Sequence, residues 1–256
     1  MGGFEEAKVN TTLGFIFKEE VVMVAIDHPR LPDGAFPENA IVPHPHLLVA
    51  ISGGSKDSRK EFLHYLQKKC NEHEREVGRK ASAEEATKWM CGLVSRNLPS
   101  RDDDGLPKLI FAGCETSYSG DDLPKGILIA GWDKELGPSL YQVDAEGKIW
   151  KHPLCSAGCG SAGLSLITWP HKHMSMDDAI KMTEGALCLS VYPYREACEC
   201  VTVFQVGVEG VKLVIFNRDI GEWQKQHFAE NPDDKWAYDQ LKKLVERNIG
   251  AVLIKR

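Results

Sequence analysis

The order of helix-like and strand-like segments is the feature of this sequence that most restricts its fold. Residues 58–78 and 82–99 each carry apolar side chains at intervals of three and four, which predicts two adjacent helices. The buried face of the first would carry Phe62, Leu63, Leu66 and Cys70. Gly78 favours an end for the first helix, and the capping-box pattern Ser82-x-x-Glu85 favours a start for the second.

Strand-like segments lie on both sides of this helical pair. Residues 11–17 and 21–27 are β-branched or apolar runs around a short polar turn, which predicts a hairpin. Residues 47–52 predict another strand, whereas the Pro- and Gly-rich residues 29–45 predict a loop with at most a short strand. Runs of strands separated by runs of helices favour sheets that pack between helical layers.

The second half of the chain repeats this alternation. We predict a strand meander, a helix capped by Ser175-x-x-Asp178, a second hairpin and a final amphipathic helix. The predicted strands cover residues 127–132, 140–144, 148–152, 154–157, 201–208 and 211–217, and the final helix covers residues 236–245.

The chain has no repeat and no clear linker, so we predict a single domain over residues 1–256. Residues 99–124 are rich in Pro, Gly, Asp and Ser, and predicted strands lie on both sides of them. We therefore expect a loop insertion there. We also expect an uncut N-terminal extension at residues 1–10 and a helical C-terminal extension at residues 218–256.

Composition excludes several classes of partner. The net charge of −6 disfavours a nucleic-acid surface. The chain contains no run of 18 apolar residues, so we predict no membrane span. The N-terminus has no signal-peptide pattern. The eight cysteines are expected to be reduced. The pairs His44/His46 and His171/His173 lie in proline-flanked segments and indicate loops rather than metal sites, so we expect no cofactor.

Four motifs carry a resemblance to a known family. The strings TTLGF, AISGG, LIAGWDKELGPSLYQVDAEGKIW and SAGCGSAG occur in the order found in proteasome β subunits, and the chymotrypsin-like (type-5) class is the most similar. The resemblance spans residues 11–216. It implies an α+β fold, specifically the four-layer αββα sandwich of the Ntn hydrolases, in a subunit of stacked rings in the cytoplasm and nucleus.

The resemblance also implies a site. A threonine hydroxyl is a weak nucleophile that needs a base, which in this family is the threonine's own α-amino group after cleavage of the preceding bond. Counting back from Asp27 places the nucleophile at Thr11, whereas counting back from Gly14 places it at Asn10. The two counts differ because the turn after Phe17 carries one residue more than is usual in the family. Family members that cleave themselves carry glycine before the threonine, whereas Asn10 precedes Thr11 in this chain. Gly53 and Gly54 correspond to the oxyanion region.

Several other family positions are occupied by different residue types. The position of the family's lysine falls on Asn39, and residues 19–55 contain no lysine. Arg30 is not an equivalent replacement, because arginine and lysine differ in geometry and proton affinity. The family's serine becomes Cys159, with Ser161 nearby, and its late Asp and Ser become Glu196 and Glu199.

These differences leave three functions to compare. The favoured one is a non-catalytic β-type subunit that contacts other α and β subunits. The first alternative is an active threonine endopeptidase that uses Thr11 on unfolded peptides, in which Ile51 would line a pocket for large apolar residues. The second is a stand-alone binding or regulatory paralogue outside the ring.

Overall fold

Strands and helices follow one another in groups along the chain, as the sequence predicts. The computed structural model describes residues 10–97, 100–101, 107–108, 110–111, 114–115, 123–158, 174–192, 199–236 and 239. The strands are β1 (Thr12–Phe17), β2 (Val21–His28), β3 (Ala40–His44), β4 (Leu47–Ser52), β5 (Ser100–Arg101), β6 (Pro107–Lys108), β7 (Ile110–Phe111), β8 (Cys114–Glu115), β9 (Gly126–Asp133), β10 (Gly137–Asp144), β11 (Ile149–Lys151), β12 (Leu154–Ala157), β13 (Cys200–Gly207) and β14 (Gly210–Asp219). The helices are α1 (Lys56–Val77), α2 (Ala83–Asn97), α3 (Met176–Ser190) and α4 (Ile220–Glu230).

Two five-stranded sheets form the centre of the molecule. The first sheet has the order β12-β1-β2-β13-β14, and the second has the order β11-β10-β9-β4-β3. Every neighbouring pair within them is antiparallel. Within the predicted insertion at residues 99–124, β5 pairs with β6 and β7 pairs with β8, so the described strands there join neither large sheet.

Alternation along the strands separates three apolar layers. One face of the second sheet packs against α1 and α2, through side chains such as Val49, Phe62 and Leu66. One face of the first sheet packs against α3 and α4, through side chains such as Phe15 and Leu187. The two remaining faces pack against each other. Since successive strand residues face opposite sides, each sheet supplies two cores, and the result is the predicted αββα sandwich.

The β1–β2 hairpin shows how the extra turn residue is accommodated. The strands pair from Thr12 opposite Ile26 to Phe17 opposite Val21, which leaves a three-residue connection. Its first two residues, Lys18 and Glu19, adopt left-handed φ values of 52° and 59°. The chain therefore absorbs the additional residue in the turn without disturbing the pairing of the strands.

The predicted helix starts are confirmed in detail. Ser82 Oγ accepts the N–H of Glu85, and the Glu85 carboxylate accepts the N–H of Ser82, which closes the capping box of α2. The same reciprocal arrangement joins Ser175 and Asp178 at α3. Helix α1 begins at Lys56, slightly before the predicted position, because Ser55 caps it.

Helix α4 lies within the helical extension that the sequence predicts over residues 218–256, although its bounds were not predicted. Its N-cap, Asp219, accepts the N–H of Glu222, and this Asp-x-x-Glu spacing is the available signal. Of the helix predicted over residues 236–245, only residues 236 and 239 are described, and both are helical.

The described cysteines are free thiols, as the sequence predicts. Cys70, Cys91, Cys155, Cys188 and Cys200 form no disulfide. Burial raises the pKa of the Cys70 and Cys155 thiols to about 11, which keeps both protonated and unreactive.

None of the helices in the described part of the chain combines the length and the apolar character that a membrane span requires.

Candidate active-site region

Thr11 and Asp27 lie side by side at the end of the first sheet. The backbone N–H of Thr11 donates to Asp27 Oδ1 at 2.7 Å, and the N–H of Asp27 donates to the Thr11 carbonyl oxygen at 3.1 Å. The two residues are 0% and 1% exposed, respectively. The structure therefore brings the predicted nucleophile and carboxylate together, with the carboxylate bound to the backbone amide that precedes the threonine side chain.

A second threonine hydroxyl lies closer to the glycine turn. Thr12 Oγ1 is 2.8 Å from Ser52 Oγ, and Ser52 Oγ donates to the Ala157 carbonyl oxygen at 3.2 Å. Since a serine hydroxyl has one proton, Thr12 must donate its own proton to Ser52. This chain of hydrogen bonds joins the two sheets beside the turn and holds the Thr12 hydroxyl in a structural role.

The faces of β1 distinguish the two candidate positions for the nucleophile. Leu13 and Phe15 pack in the core against α3, whereas a side chain at Gly14 would meet Leu128 of the second sheet. Extended to the residues before β1, this alternation places Thr11 with Leu13, and Asn10 with Thr12. The position on the side of Ser52 and the glycine turn is therefore an amide.

Asn39 occupies the predicted position of the lysine. Its side chain is 1% exposed, and Nδ2 donates to the backbone carbonyl oxygen of Asp27 at 3.2 Å. The backbone carbonyl oxygen of Asn39 accepts the N–H of Ile51 at 2.7 Å. Asn39 Oδ1 has no hydrogen-bond partner among the described residues. A neutral amide therefore faces the backbone of Asp27 where the family resemblance implies a cation beside its carboxylate.

The Gly53–Gly54 turn retains a geometry that requires glycine. Both residues have left-handed φ values, 69° and 74°. A Cβ on Gly53 would lie 2.5 Å from Lys125 Cγ, so the stem of this exposed lysine covers the turn. The N–H of Lys125 donates to the Ser52 carbonyl oxygen at 2.8 Å, which anchors the start of β9 to the turn.

Arg59 holds the other side of the turn. It lies in the first turn of α1, and Nη1 donates to the Gly54 carbonyl oxygen at 2.6 Å. Only 8% of the residue is exposed. Burial lowers the pKa of its guanidinium, and the negative charges of Glu38 and Asp27 oppose that change. Arg59 is therefore a buried cation that binds the glycine turn.

Gly158 closes the region from the side of β12. Its φ is +101°, and a Cβ there would lie 1.9 Å from the Asn10 carbonyl oxygen. Only glycine permits this close approach of the backbone to the Asn10–Thr11 peptide bond. The predicted position Cys159 follows directly, but it lies outside the described residues, as does Ser161.

The late acidic positions are only partly described. Glu199 Oε2 accepts the backbone N–H of Arg30 at 2.8 Å. The Arg30 side chain is 58% exposed and pairs with Asp219. Glu199 and Arg30 thus contact each other, and Arg30 also contacts Asp219 at the end of β14. Glu196 lies outside the described residues.

The histidines near this region are engaged by other groups. His28 follows Asp27, but its ring contacts Pro29 O and Thr202 Oγ1, each at 2.7 Å. Burial lowers its pKa, so the neutral ring donates to Pro29 through Nδ1 and accepts from Thr202. His44 contacts Ala81 O at 2.8 Å. These hydrogen bonds hold the rings of His28 and His44 in place.

Comparison with known proteins identifies the family. Residues 115–199 match the family described as "Proteasome subunit". Over 233 residues the chain is 30% identical to proteasome subunit beta type-5 of Spinacia oleracea, an alignment that covers 88% of this chain and 76% of that protein. The beta type-5-B and type-5-A subunits of Arabidopsis thaliana are 30% identical over 234 and 236 residues, covering 88% and 89% of this chain and 76% of each relative.

The chain belongs to the proteasome β-subunit family. This confirms the predicted family and the predicted similarity to type-5 subunits. It also agrees with the fold, because two antiparallel sheets between pairs of helices form the αββα sandwich.

Ile51, which the resemblance places at a specificity pocket if the site is active, lies in the core between the second sheet and helices α1 and α2. Ser52 takes the face towards the first sheet and Ile51 takes the opposite one, because successive strand residues alternate. The pocket role of Ile51 stays a prediction.

Sequence reasoning missed Arg59 and Lys125 as neighbours of the glycine turn. Arg59 had a detectable signal, since it lies three residues before Phe62 on the apolar stripe of α1, where a charged residue needs an explanation. Lys125 had none, because the pairing of β4 with β9 alone brings it to Gly53.

Proposed function

We propose that this protein is a non-catalytic β-type subunit of the proteasome core particle, a pseudoenzyme that contributes packing surface. The observation that carries the proposal is the environment of Asp27. A neutral amide, Asn39, lies at the position where the family resemblance implies a lysine, and it binds the Asp27 backbone. A neutral amide at this position cannot promote the ionisation of a threonine hydroxyl as the family's lysine does.

The position of the nucleophile supports the same proposal. The alternation of β1 directs Asn10 towards the glycine turn, and Asn10 has no hydroxyl. Thr11 has a hydroxyl, but its nitrogen is a peptide amide bound to Asp27 as long as Asn10 precedes it. An amide nitrogen cannot act as the base, because its lone pair is delocalised into the carbonyl.

Assembly follows from the family. Proteasome β subunits assemble with other proteasome subunits, and we propose α and β subunits as the partners of this chain. Proteasome complexes are generally cytoplasmic and nuclear, and we propose the same location. The packing role needs the intact sandwich and its surface, both of which are independent of the site.

The active peptidase is the second candidate, and one arrangement favours it. Thr11 and Asp27 are adjacent, and the Gly53–Gly54 turn keeps its left-handed geometry. Lys125, whose stem packs on Gly53, could supply an ammonium group from outside residues 19–55. In this case removal of residues 1–10 would create the α-amino base at Thr11.

Intact mass and activity of the protein purified from its source distinguish the candidates. We expect Asn10 to remain joined to Thr11, and the hydrolysis of a short hydrophobic peptide to equal that of a Thr11→Ala variant. Native mass spectrometry of the same sample should place the chain in a complex of hundreds of kilodaltons.

The opposite results are equally specific. A trimmed form that begins at Thr11, reacts with a hydroxyl-directed peptidase probe and loses activity on Thr11→Ala would establish the peptidase. Loss of that activity on Lys125→Met, with Lys134→Met as the matched control, would identify the cation. A monomer of about 28 kDa would instead favour the stand-alone paralogue.

A further inference from the structure

A cavity of about 420 Å³ lies between the edge of the second sheet and the start of α2. Five segments line it: the α1–α2 connection, the β3–β4 turn, the β9–β10 hairpin, β11 and the β13–β14 turn. Its volume falls within the range of small-molecule sites. Its described lining includes neither Thr11, Asp27 nor the Gly53–Gly54 turn, so it is separate from the candidate active-site region.

Hydrogen bonds between the lining segments hold the cavity in shape. His44 Nε2 donates to the Ala81 carbonyl oxygen at 2.8 Å, and His44 Nδ1 accepts the backbone N–H of His46 at 3.3 Å. His46 Nδ1 in turn donates to the Gly207 carbonyl oxygen at 3.2 Å, since a carbonyl oxygen can only accept. Three of the five segments are therefore joined directly, and the cavity is formed before any ligand binds.

One wall of the cavity is aromatic. The ring centroids of Trp132 and His46 are 5.7 Å apart, and the rings are tilted by 41°. Pro138, which also lines the cavity, lies opposite Trp132 in the β9–β10 ladder. Ring faces in this arrangement provide a surface on which a planar apolar group can pack.

Tyr141 places an unused hydroxyl on another wall. It lines the cavity, it is only 6% exposed, and its hydroxyl makes no hydrogen bond with any described residue. Buried hydroxyl groups usually have a partner. Lys151 lies opposite Tyr141 in the β10–β11 ladder, with its ammonium group 5.3 Å from the centroid of the tyrosine ring. A hydroxyl donor and a cation therefore occur together on this side of the cavity.

The lysines of the lining come from three different segments. They are Lys80 in the α1–α2 connection, Lys134 in the β9–β10 turn and Lys151 in β11. Lys80 pairs with Glu74, and both side chains are about half exposed. Lys134 and Lys151 are exposed and form no ion pair within the described part of the chain. The charges of these two lysines are thus available to an anion.

The two carboxylates of the lining are engaged by neighbouring groups. Asp133 Oδ1 accepts the backbone N–H groups of Glu135 and Leu136 at 2.8 and 3.0 Å, which directs it into the β9–β10 turn. Glu84 pairs with Lys88 at 2.7 Å on the surface of α2. In a chain with a net charge of −6, this cavity is lined by more cations than anions.

We propose that the cavity binds a small aromatic anion of about nucleotide size. The planar ring packs against Trp132 and His46, and the anionic group accepts hydrogen bonds from Lys151 and the Tyr141 hydroxyl, while Lys134 adds positive potential at the rim. This binding site is independent of the proposed role as a non-catalytic subunit, because it shares no residue with the region around Thr11.

The test is calorimetric titration of the purified full-length chain at pH 7 in a low-salt buffer without phosphate. Adenosine monophosphate is the probe, because it carries a planar ring and an anionic group. Adenosine lacks the anion and inorganic phosphate lacks the ring, so we expect each to bind at least about 10-fold more weakly than the probe.

Two variants locate the site, and each has a matched control. Lys151→Met should weaken binding of the probe by about 10-fold, and Tyr141→Phe by about 5-fold, because each removes one hydrogen bond to the anion. Lys148→Met and Tyr65→Phe should leave the affinity unchanged. Lys148 lies in the same turn and strand region but outside the cavity, and Tyr65 packs against the same core as Tyr141 without lining the cavity.

Three outcomes overturn the proposal. The first is no binding of adenosine monophosphate at millimolar concentration. The second is equally tight binding of adenosine or of inorganic phosphate, since either would remove one half of the recognition. The third is an affinity that neither Lys151→Met nor Tyr141→Phe changes, which would place the bound probe elsewhere on the surface. Lys151 is exposed, so Lys151→Met tests the site even if Tyr141→Phe lowers stability.

Discussion

Helices α1 and α2 both begin at a serine cap, yet only α1 places a buried cation in its first turn. At α2, Ser82 and Glu85 bind each other reciprocally, and Arg79 adds a bidentate ion pair to Glu85. At α1, Ser55 accepts the N–H of Ser58, and the buried Arg59 follows. The acidic first turn of α2 agrees with the helix macrodipole, whereas at α1 Asp57 agrees with it and Arg59 opposes it.

This difference separates local from tertiary stabilisation. The start of α2 is stabilised by residues within seven positions of one another, so it can be recognised from sequence alone. The start of α1 contains a cation that binds the Gly54 carbonyl oxygen, and the negative charges of Glu38 and Asp27, 21 and 32 positions earlier, favour its charged form. A local rule broken at one helix start therefore marks a contact between distant segments.

The largest expected effect is at Arg59. We predict that Arg59→Met lowers the free energy of unfolding by about 3 kcal/mol, because it leaves the Gly54 carbonyl oxygen without the guanidinium that binds it. Urea denaturation at pH 7 measures this. Arg79→Met, at the exposed pair of α2, is the matched control and should cost much less. Equal losses would remove the distinction between the two helix starts.

An intermediate effect is expected at Glu85. The hydrogen bonds from Arg79, followed by those from Ser82, lower the pKa of Glu85 from 4.5 to about 2. Because the folded-state pKa is depressed, this stabilisation is fully present above pH 4.5 and is lost as the pH falls towards 2.

We therefore predict that Glu85→Gln lowers the free energy of unfolding by about 1–2 kcal/mol at pH 7. The difference in stability between this variant and the wild type should shrink as the pH falls towards 2.5. Thermal unfolding between pH 2.5 and 7 measures the trend. Glu84→Gln is the neighbouring control and should have a much smaller effect, since the pair of Glu84 with Lys88 is exposed. A cost that does not vary with pH would contradict the capping account.

The smallest expected effect is at the cap of α1. Ser55→Ala should cost about 1 kcal/mol, because Ser55 accepts a single N–H and has no reciprocal partner. Ser58→Ala is the control, because Ser58 Oγ is buried without a partner among the described residues. Its removal should be neutral or slightly stabilising in urea denaturation. A larger loss at Ser58 than at Ser55 would show that the cap has been assigned to the wrong serine.

Much of the fold could be predicted because its signals are local. The capping boxes at Ser82 and Ser175, the stripe from Phe62 to Cys70 and the β1–β2 hairpin each lie within a short window of sequence. The start of helix α4 was not predicted because the strand β14 continues to Asp219, the residue that caps the helix.

The candidate site was less predictable because its contacts join distant segments. Thr11 meets Asp27 through the hairpin, and that contact follows from strand pairing. Lys125 reaches the glycine turn from the residue before β9, and Arg59 reaches it from α1. Neither the motif nor its spacing contains that information.

The amino-acid sequence by itself determined the family, the order of the elements and the loss of a lysine between residues 19 and 55, since each is a property of residue type and spacing. Only the tertiary structure decided which groups surround Asp27 and which face Asn10 and Thr11 take. Those relations depend on how two sheets and a helix pack together, and packing brings together residues that are far apart in the chain.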